Sequence, residues 1–216
     1  MLEKMSDFFE ARLEGYDAHM LNDIECADEF YPFTAKQLPI VENCYILDLG
    51  CGTGLELEEY YPLNPSARVT GIDLSQGMLS TLRKKFSDRE ISLICGSYFD
   101  LPFGVACFDG AVSVESLHHF TKEEKITLYS KLHEALKDEG YFILTDYFAS
   151  SDEEEKGHRQ ALNDLKAQEG VAEGVLCHYD TPLTVEHETE ALIEAGFSFV
   201  RVLRNWGATY TIKAVK

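Results

Sequence analysis

The stretch Ile46-Leu47-Asp48-Leu49-Gly50-Cys51-Gly52-Thr53-Gly54 constrains this 216-residue chain more than any other. An apolar strand runs into three glycines at alternate positions, and a helix-compatible segment follows. Only glycine readily accepts the positive φ and the close backbone approach that such a turn needs. A turn of this kind leaves backbone N–H groups at a helix N-terminus, where an anion can sit. Residues 46–54 therefore predict a nucleotide-cofactor site on a doubly wound α/β sheet.

The spacing narrows the cofactor. A dinucleotide site reads G-x-G-x-x-G. Here the third glycine comes one residue early, and Leu55 stands where the fingerprint needs it. A phosphate-binding P-loop is excluded, because no Gly-Lys-Ser/Thr follows. About twenty residues on, Val69-Thr70-Gly71-Ile72-Asp73 ends a second strand with an acid, whose carboxylate suits a ribose diol.

These residues carry a resemblance. Asp48 to Gly54 is similar to the first motif of the Rossmann-like (class I) S-adenosylmethionine-dependent methyltransferases, of small-molecule type. The likeness continues in order through Gly71-Ile72-Asp73-Leu74-Ser75, Gly96 to Phe103, Phe108 to Ser113, Leu117-His118-His119-Phe120 and Ala135 to Tyr141. It spans roughly residues 44–147, about half the chain. It implies S-adenosyl-L-methionine as cofactor and S-adenosyl-L-homocysteine as product, and it is nearly silent on the acceptor.

Composition sets the remaining bounds. The length fits one domain over 1–216. No apolar run approaches the ~20 residues of a membrane span. Met1 to Asp7 is acidic and amphipathic, unlike a signal peptide. Six scattered cysteines without a C-x-x-C pair suit free thiols in a reducing cytoplasm. The net charge of −19 repels nucleic acids and anionic membranes. The expected partner is a small-molecule acceptor, with the chain a monomer or homodimer.

Hydrophobic periodicity predicts the elements. Residues 3–38 read as one or two helices, interrupted at Gly15, with a second apolar stripe of Leu21, Ile24, Ala27, Phe30 and Tyr31 before Pro32. Phe8, Phe9, Leu13 and Tyr16 fall near helical spacing, and these helices either pack on the domain flank or form an N-terminal helical cap (1–38) whose aromatics close over the cofactor. Strands are expected at Tyr45–Leu49, Arg68–Ile72, Ile91–Cys95, Phe108–Val114 and Tyr141–Tyr147, within a cofactor-binding core of 44–147. Helices are expected at Thr53–Tyr60, Ser75–Phe86 and from a capping box at Thr121-Lys122-Glu123-Glu124 to Leu136. Ser151-Asp152-Glu153-Glu154 reads as a second capping box. It opens a charged insertion or lid (150–182) that breaks the strand–helix rhythm. Residues 184–216 supply a helix, Thr184–Ala195, and two adjacent strands, Phe197–Leu203 and Ala208–Val215. The result is a mostly parallel seven-stranded sheet with an antiparallel C-terminal hairpin, which the resemblance also implies.

By resemblance, the turn of Gly50, Cys51, Gly52, Thr53 and Gly54 faces the methionine part of the cofactor. Asp48 holds its ammonium, Asp73 the ribose, and Leu74 and Met78 the adenine faces, although both apolar residues also read as ordinary core. Ser97 stands where many relatives carry an aspartate toward the adenine amine, with the Tyr98 backbone N–H on the ring edge. Ser113-Val114-Glu115-Ser116 lacks the Asn/Asp-Pro-Pro-Tyr/Phe of amide and base methyltransferases. Glu115 reads as a base, an acceptor ligand or a solvated loop carboxylate. His118 and His119 titrate near neutral pH and are candidate bases, or else one is structural and the other lines the pocket. Tyr16, Tyr147, His178 and Tyr179 are candidate acceptor contacts. His133, His178 and His187 show no ligand spacing, so no metal is expected.

Methyl transfer from a sulfonium needs orientation above all, which supplies ~7–11 kcal/mol. The alternatives are carboxyl or aminopropyl transfer on the same cofactor, or a non-catalytic cofactor-binding module. Carboxyl chemistry calls for a basic clamp, and the expected acceptor loops offer Arg159 and Lys166. A nicotinamide enzyme is disfavoured by the glycine spacing.

Overall fold

The computed structural model describes residues 1–172 and 174–216. Three short helices come first: α1 (Met5–Ala11), α2 (Tyr16–Asp23) and α3 (Ala27–Ala35). The expected break at Gly15 is present, at φ +87°. The second stripe does not stop at Pro32, because α3 runs through it to Ala35. A proline here withholds one N–H from the Asp28 carbonyl, and Asp28 is exposed to water.

The core alternates strand and helix as the pattern requires. It comprises β1 (Tyr45–Leu49), α4 (Leu55–Tyr60), β2 (Arg68–Asp73), α5 (Gln76–Lys85), β3 (Ile91–Cys95), β4 (Phe108–Val114) and α6 (Lys122–Ala135). Then follow β5 (Leu136–Tyr147), α7 (Asp152–Glu169), α8 (Val185–Glu194), β6 (Phe199–Trp206) and β7 (Thr209–Val215). The seven strands form one sheet in the order β3-β2-β1-β4-β5-β7-β6. β1 to β5 are parallel, and β7 runs antiparallel to both β5 and β6. The order reverses between β1 and β4, so a crevice opens at the carboxyl ends of those two strands.

Each strand of the core feeds both faces of the sheet, with the period of two that a strand imposes. Ile46 packs on one side with Phe30, Tyr60 and Leu82, while Leu47 and Leu49 pack on the other with Leu128, Tyr129 and Phe142. Between α6 and α8, Lys125 and Glu188 form a buried ion pair of 2.5 Å, joined by the Tyr129 hydroxyl. The apolar stripe of α6 gave no sign of it.

Local signals held in part. Thr121 and Glu124 make a reciprocal capping box at α6. At α7 the box is half formed: Ser151 Oγ accepts from Glu154 N, but the Glu154 carboxylate accepts from Ser150 instead. β5 starts five residues earlier than expected, at Leu136. Its register against β4 slips between Phe108 and Gly110, and Glu139 takes φ +64°. That irregular polar stretch hides the strand from a periodicity reading. β6 starts later and ends later than expected, and meets β7 across the Gly207-Ala208 turn.

The N-terminal segment and the 150–182 segment are tied to each other over the carboxyl ends of the strands. Met5 N donates to the Leu176 carbonyl and His178 N to the Glu3 carbonyl, each at 3.0 Å. Leu2 N reaches Glu169 Oε2 at 2.8 Å.

Candidate active site

The glycine turn after β1 has φ values of +74°, +47° and +79° at Gly50, Gly52 and Gly54. A Cβ at Gly50 would sit 1.9 Å from Ser116 Oγ, so glycine is needed there for approach as well as for φ. The turn's amides are spent inside the protein. Gly50 N and Cys51 N donate to the Ile72 carbonyl, and Gly54 N to the Cys51 carbonyl. Gly52 N donates to Asp73 Oδ2 at 2.9 Å. The open anion cradle expected from the sequence is therefore filled at these four positions. No phosphate is served by them, which agrees with the missing dinucleotide fingerprint.

The charge below the turn is negative. Asp48 is 1% exposed, and its Oδ2 has no hydrogen-bond partner. Beside it, Glu56 Oε1 is also buried and unpartnered. Burial, then repulsion from Glu56, pushes the Asp48 carboxyl well above its ordinary value. Burial raises Glu56 to about 7. Two buried carboxyl groups with orphaned oxygens fit a cationic ligand group.

Asp73, at the end of β2, accepts Gly52 N and Ser75 N and so couples the turn to the start of α5. Gly50, Gly52, Asp73, Leu74, Met78 and Tyr98 line one narrow cavity of about 50 Å³. The other expected cofactor residues do not line it. Cys51 turns its Sγ toward Gly71. Thr53 donates to Asp17 at 2.5 Å, and Gly54 packs on Phe86 and Leu82. Ser97 accepts Phe99 N and closes its own turn. Tyr98 reaches the cavity with its ring, and its hydroxyl donates to the Ser116 carbonyl.

A second cavity of about 730 Å³ lies against the first. Phe9, Tyr16, Glu115 and His119 belong to both walls. Tyr147, His178, His118 and Asp180 line the larger one. Tyr179 does not, and it contributes its carbonyl to His119 Nδ1 at 3.2 Å. Its side chain lies outside, by Leu2 and Glu169. Glu115 terminates β4 at φ +49°, a conformation that costs a non-glycine residue about 1–2 kcal/mol. Its Oε1 is buried without a partner. Burial, then the Asp146 charge, raises Glu115 to about 8 against the pull of His118.

The two histidines differ. His118 Nδ1 donates to Asp146 Oδ1 at 2.5 Å, and Nε2 lies 3.4 Å from Asp180 Oδ1. Burial opposes its charge, yet Asp146, Asp180 and Glu115 outweigh that and hold it up to about 10. His119 is pushed down to about 3 by burial and by the neighbouring His118. His118 thus stands as an imidazolium and His119 as a neutral ring.

Sequence reasoning missed Asp146, Asp180, Glu56, Asp17 and Glu10, whereas Phe8 and Phe9 belong to the aromatic stripe that it offered as a cap. Asp146 ends β5 at the same edge as Asp73 ends β2, and that position was a usable signal. Asp180 and Glu10 gave none, since they meet the crevice only through tertiary pairing. Glu10 reaches α5, where it accepts Ser75 Oγ at 2.7 Å and Gly77 N at 3.1 Å.

Comparison with known proteins decides the family. Residues 46–140 match a methyltransferase-domain family. A carboxy-S-adenosyl-L-methionine synthase of Wolinella succinogenes is 31% identical over 198 residues, 81% of this chain and 76% of that protein. The chain belongs to the class I S-adenosylmethionine-dependent methyltransferase family. Biotin biosynthesis bifunctional protein BioHC of Teredinibacter turnerae is 35% identical over 109 residues, 46% of this methyltransferase-family chain. That match spans 19% of BioHC, so it concerns a part of a longer protein. The structure of human N-acetylserotonin methyltransferase in complex with S-adenosylmethionine superposes with a TM-score of 0.64 at 18% identity. It covers 97% of this chain and 55% of the human one, and shares the Rossmann-like methyltransferase fold. No helix among the described residues is long and apolar enough to cross a membrane.

Proposed function

We propose that this chain transfers a methyl group from S-adenosylmethionine to a small-molecule acceptor held in the 730 Å³ cavity. The observation that carries the reading is the shared wall. Glu115, Tyr16, Phe9 and His119 face both the glycine-turn cavity and the larger one, so donor and acceptor meet there.

The residues fit the cofactor. Asp48 and Glu56 offer orphaned buried oxygens to its ammonium, directly or through water. Asp73 has lone pairs left for the ribose hydroxyls, and Leu74 and Met78 flank the adenine position. The cofactor supplies a methyl group on a sulfonium and so needs no protein nucleophile. Tyr16 and Phe9 exclude water from the junction and orient the acceptor. In its ionised form, which burial confines to pH above about 8, Glu115 receives at Oε1 the proton that an acceptor hydroxyl or amine releases. His118, fixed by Asp146, donates to acceptor oxygen rather than accepting from it.

At about 50 Å³ the glycine-turn cavity is far below the ~300 Å³ of an ordinary ligand pocket. Cofactor entry therefore moves α1 and α2 outward, and residues 1–31 and 150–182 act as a roof. Limited proteolysis tests the roof: added cofactor should protect these segments, and unchanged cutting would count against them.

Carboxyl transfer to the cofactor is a second reading, favoured by the Wolinella relative. The site speaks against it. Among the described residues, Arg12 is the one guanidinium or ammonium on the larger cavity, and both of its Nη atoms are held by Glu3. Arg159 turns to the Thr181 carbonyl and Lys166 to the Val175 carbonyl. The deciding assay supplies S-adenosylmethionine, a pool of small hydroxyl and amine compounds as methyl acceptors and a pool of small carboxylic acids as carboxyl donors. Methyl transfer gives S-adenosylhomocysteine together with a methylated product. A carboxylated cofactor would establish the second reading, and bound cofactor without any turnover would mean a binding module.

A further inference from the structure

The floor of the larger cavity holds a convergence of ligand atoms around Asp180, a residue to which methyl transfer gives no part. His118, His119 and Asp180 place ligand atoms within 4.8 Å of one another. Asp180 Oδ1 lies 3.4 Å from His118 Nε2 and 3.3 Å from His119 Nδ1. These are too long for good hydrogen bonds, and Asp180 Oδ1 is buried with no hydrogen-bond partner. They match the ligand–ligand edge of a tetrahedral ion with bonds of ~2.0–2.1 Å, which is about 3.3 Å.

We propose that His118 Nε2, His119 Nδ1 and Asp180 Oδ1 form a binding site for one divalent transition-metal ion of the zinc class. Two imidazoles and one carboxylate are the donor set that such ions prefer. The outer shell is already in place. His118 Nδ1 donates to the buried Asp146 Oδ1, so Nε2 is the ligand atom, and a bound ion would displace the proton that the imidazolium carries there. Asp146 is itself fixed by Leu117 N and Tyr147 N. In the metal-free chain His119 Nδ1 donates to the Tyr179 carbonyl at 3.2 Å; a bound ion would take this nitrogen in the tautomer protonated at Nε2, with the carbonyl beside it as a further oxygen ligand.

Charge favours a dication too. The carboxylates of Asp146 and Asp180 flank the two imidazoles, and no lysine or arginine makes an ion pair with them among the described residues. The other groups facing the site are the Tyr147 ring on His118 and the His178 ring on His119. The remaining coordination positions open into the 730 Å³ cavity, where water or an acceptor oxygen can complete the shell. Absence of ligand spacing in the sequence did not reveal the site, because Asp180 is brought to the His118-His119 pair by the fold. The proposal does not depend on methyl transfer.

The test uses the full chain, stripped with EDTA, dialysed and titrated with Co²⁺ alone and then with Zn²⁺. We expect one Co²⁺ per chain, visible d–d bands, no near-ultraviolet thiolate band, and displacement by Zn²⁺. Asp180→Asn and His119→Gln should each weaken binding at least tenfold. Asp146→Asn, which touches no metal, should weaken it ~10–100-fold. Asp180→Asn keeps the side-chain size on a half-exposed position, and its melting curve in EDTA should equal that of the parent. Substoichiometric binding, a thiolate band from the free cysteines, or unchanged affinity in Asp180→Asn would each overturn the proposal. If a variant fails to fold, the stoichiometry and spectrum of the parent chain decide alone.

Discussion

The two cavities are built in opposite ways. The glycine-turn cavity rests on Gly50, Gly52, Asp73, Leu74 and Met78, at the ends of β1 and β2 and in the segments that follow them, with backbone groups satisfying one another across Gly50, Gly52, Ile72 and Asp73. The larger cavity gathers α1, the loop after β4, the end of β5, and residues 178 and 180 from far along the chain. Its polar groups are satisfied poorly. Glu115 Oε1 and Asp180 Oδ1 are buried without partners, and Glu115 holds a strained φ. A family can keep the first arrangement as a fixed cofactor mount while the second varies with the acceptor. Unmet hydrogen-bonding capacity lies under both cavities, at Asp48 and Glu56 beneath the turn and at Glu115 and Asp180 in the larger one, while the strained non-glycine φ of Glu115 sits on the wall they share.

Substitutions in the two regions should therefore fail differently, and the largest effect belongs to the junction. Glu115→Gln should lower turnover ~10²–10⁴-fold, the usual contribution of a positioned base, with cofactor affinity unchanged. Equal loss of cofactor affinity would mean that Glu115 belongs to the cofactor mount.

A matched glycine pair comes next. Gly50→Ala forces a Cβ onto Ser116 and strains a φ of +74°, and should cost about 3 kcal/mol in urea unfolding. Gly15→Ala has a similar φ of +87° but nothing within 4 Å, and should cost about 1 kcal/mol. Equal costs would show that φ alone, and not close approach, fixes the turn.

Asp73→Ala should weaken cofactor binding by ~1.5–3 kcal/mol, the range for a hydrogen bond to a charged group. It should leave metal and acceptor binding alone. Unchanged cofactor affinity would remove the ribose assignment.

The smallest effect is a pH trend. Glu56 is raised from 4.5 to about 7 by burial, so below that pH it is neutral in the free protein. The cofactor ammonium favours the ionised form, so affinity should rise several-fold as pH increases through about 7. Glu56→Gln should flatten the profile. The stability sign is the reverse: a carboxyl with a raised folded pKa stabilises most below 4.5, and that contribution is lost as pH rises through about 7. A cofactor affinity that falls with pH would remove the ammonium assignment.

Legibility in the sequence followed the same divide. The strand run into Gly50, the acid Asp73 and the β4 span Phe108–Val114 were readable because local geometry dictates them. The continuation of α3 through Pro32 was not, since tertiary packing of Phe30, Tyr31 and Ala35 overrides the local breaker. Nor was the buried Lys125, whose partner Glu188 is 63 residues away. The candidate site splits alike. Glu115, His118, Tyr16, Tyr147 and His178 were named from local cues and do line the larger cavity. Asp146 and Asp180 hold His118 in its charged state; the strand-end position of Asp146 was readable, while Asp180 acts through a contact that no spacing encodes.

The central claim is that the glycine-turn cavity is a mount for S-adenosylmethionine. Thermal unfolding with S-adenosylmethionine, S-adenosylhomocysteine and NADH in parallel tests it most directly. At a hundred times its dissociation constant, a ligand adds ~2.7 kcal/mol, which for a chain of this size is roughly 5–10 °C. The account predicts that shift with both adenosyl ligands and none with NADH. No shift with either adenosyl ligand on folded protein, or a shift with NADH alone, would contradict it.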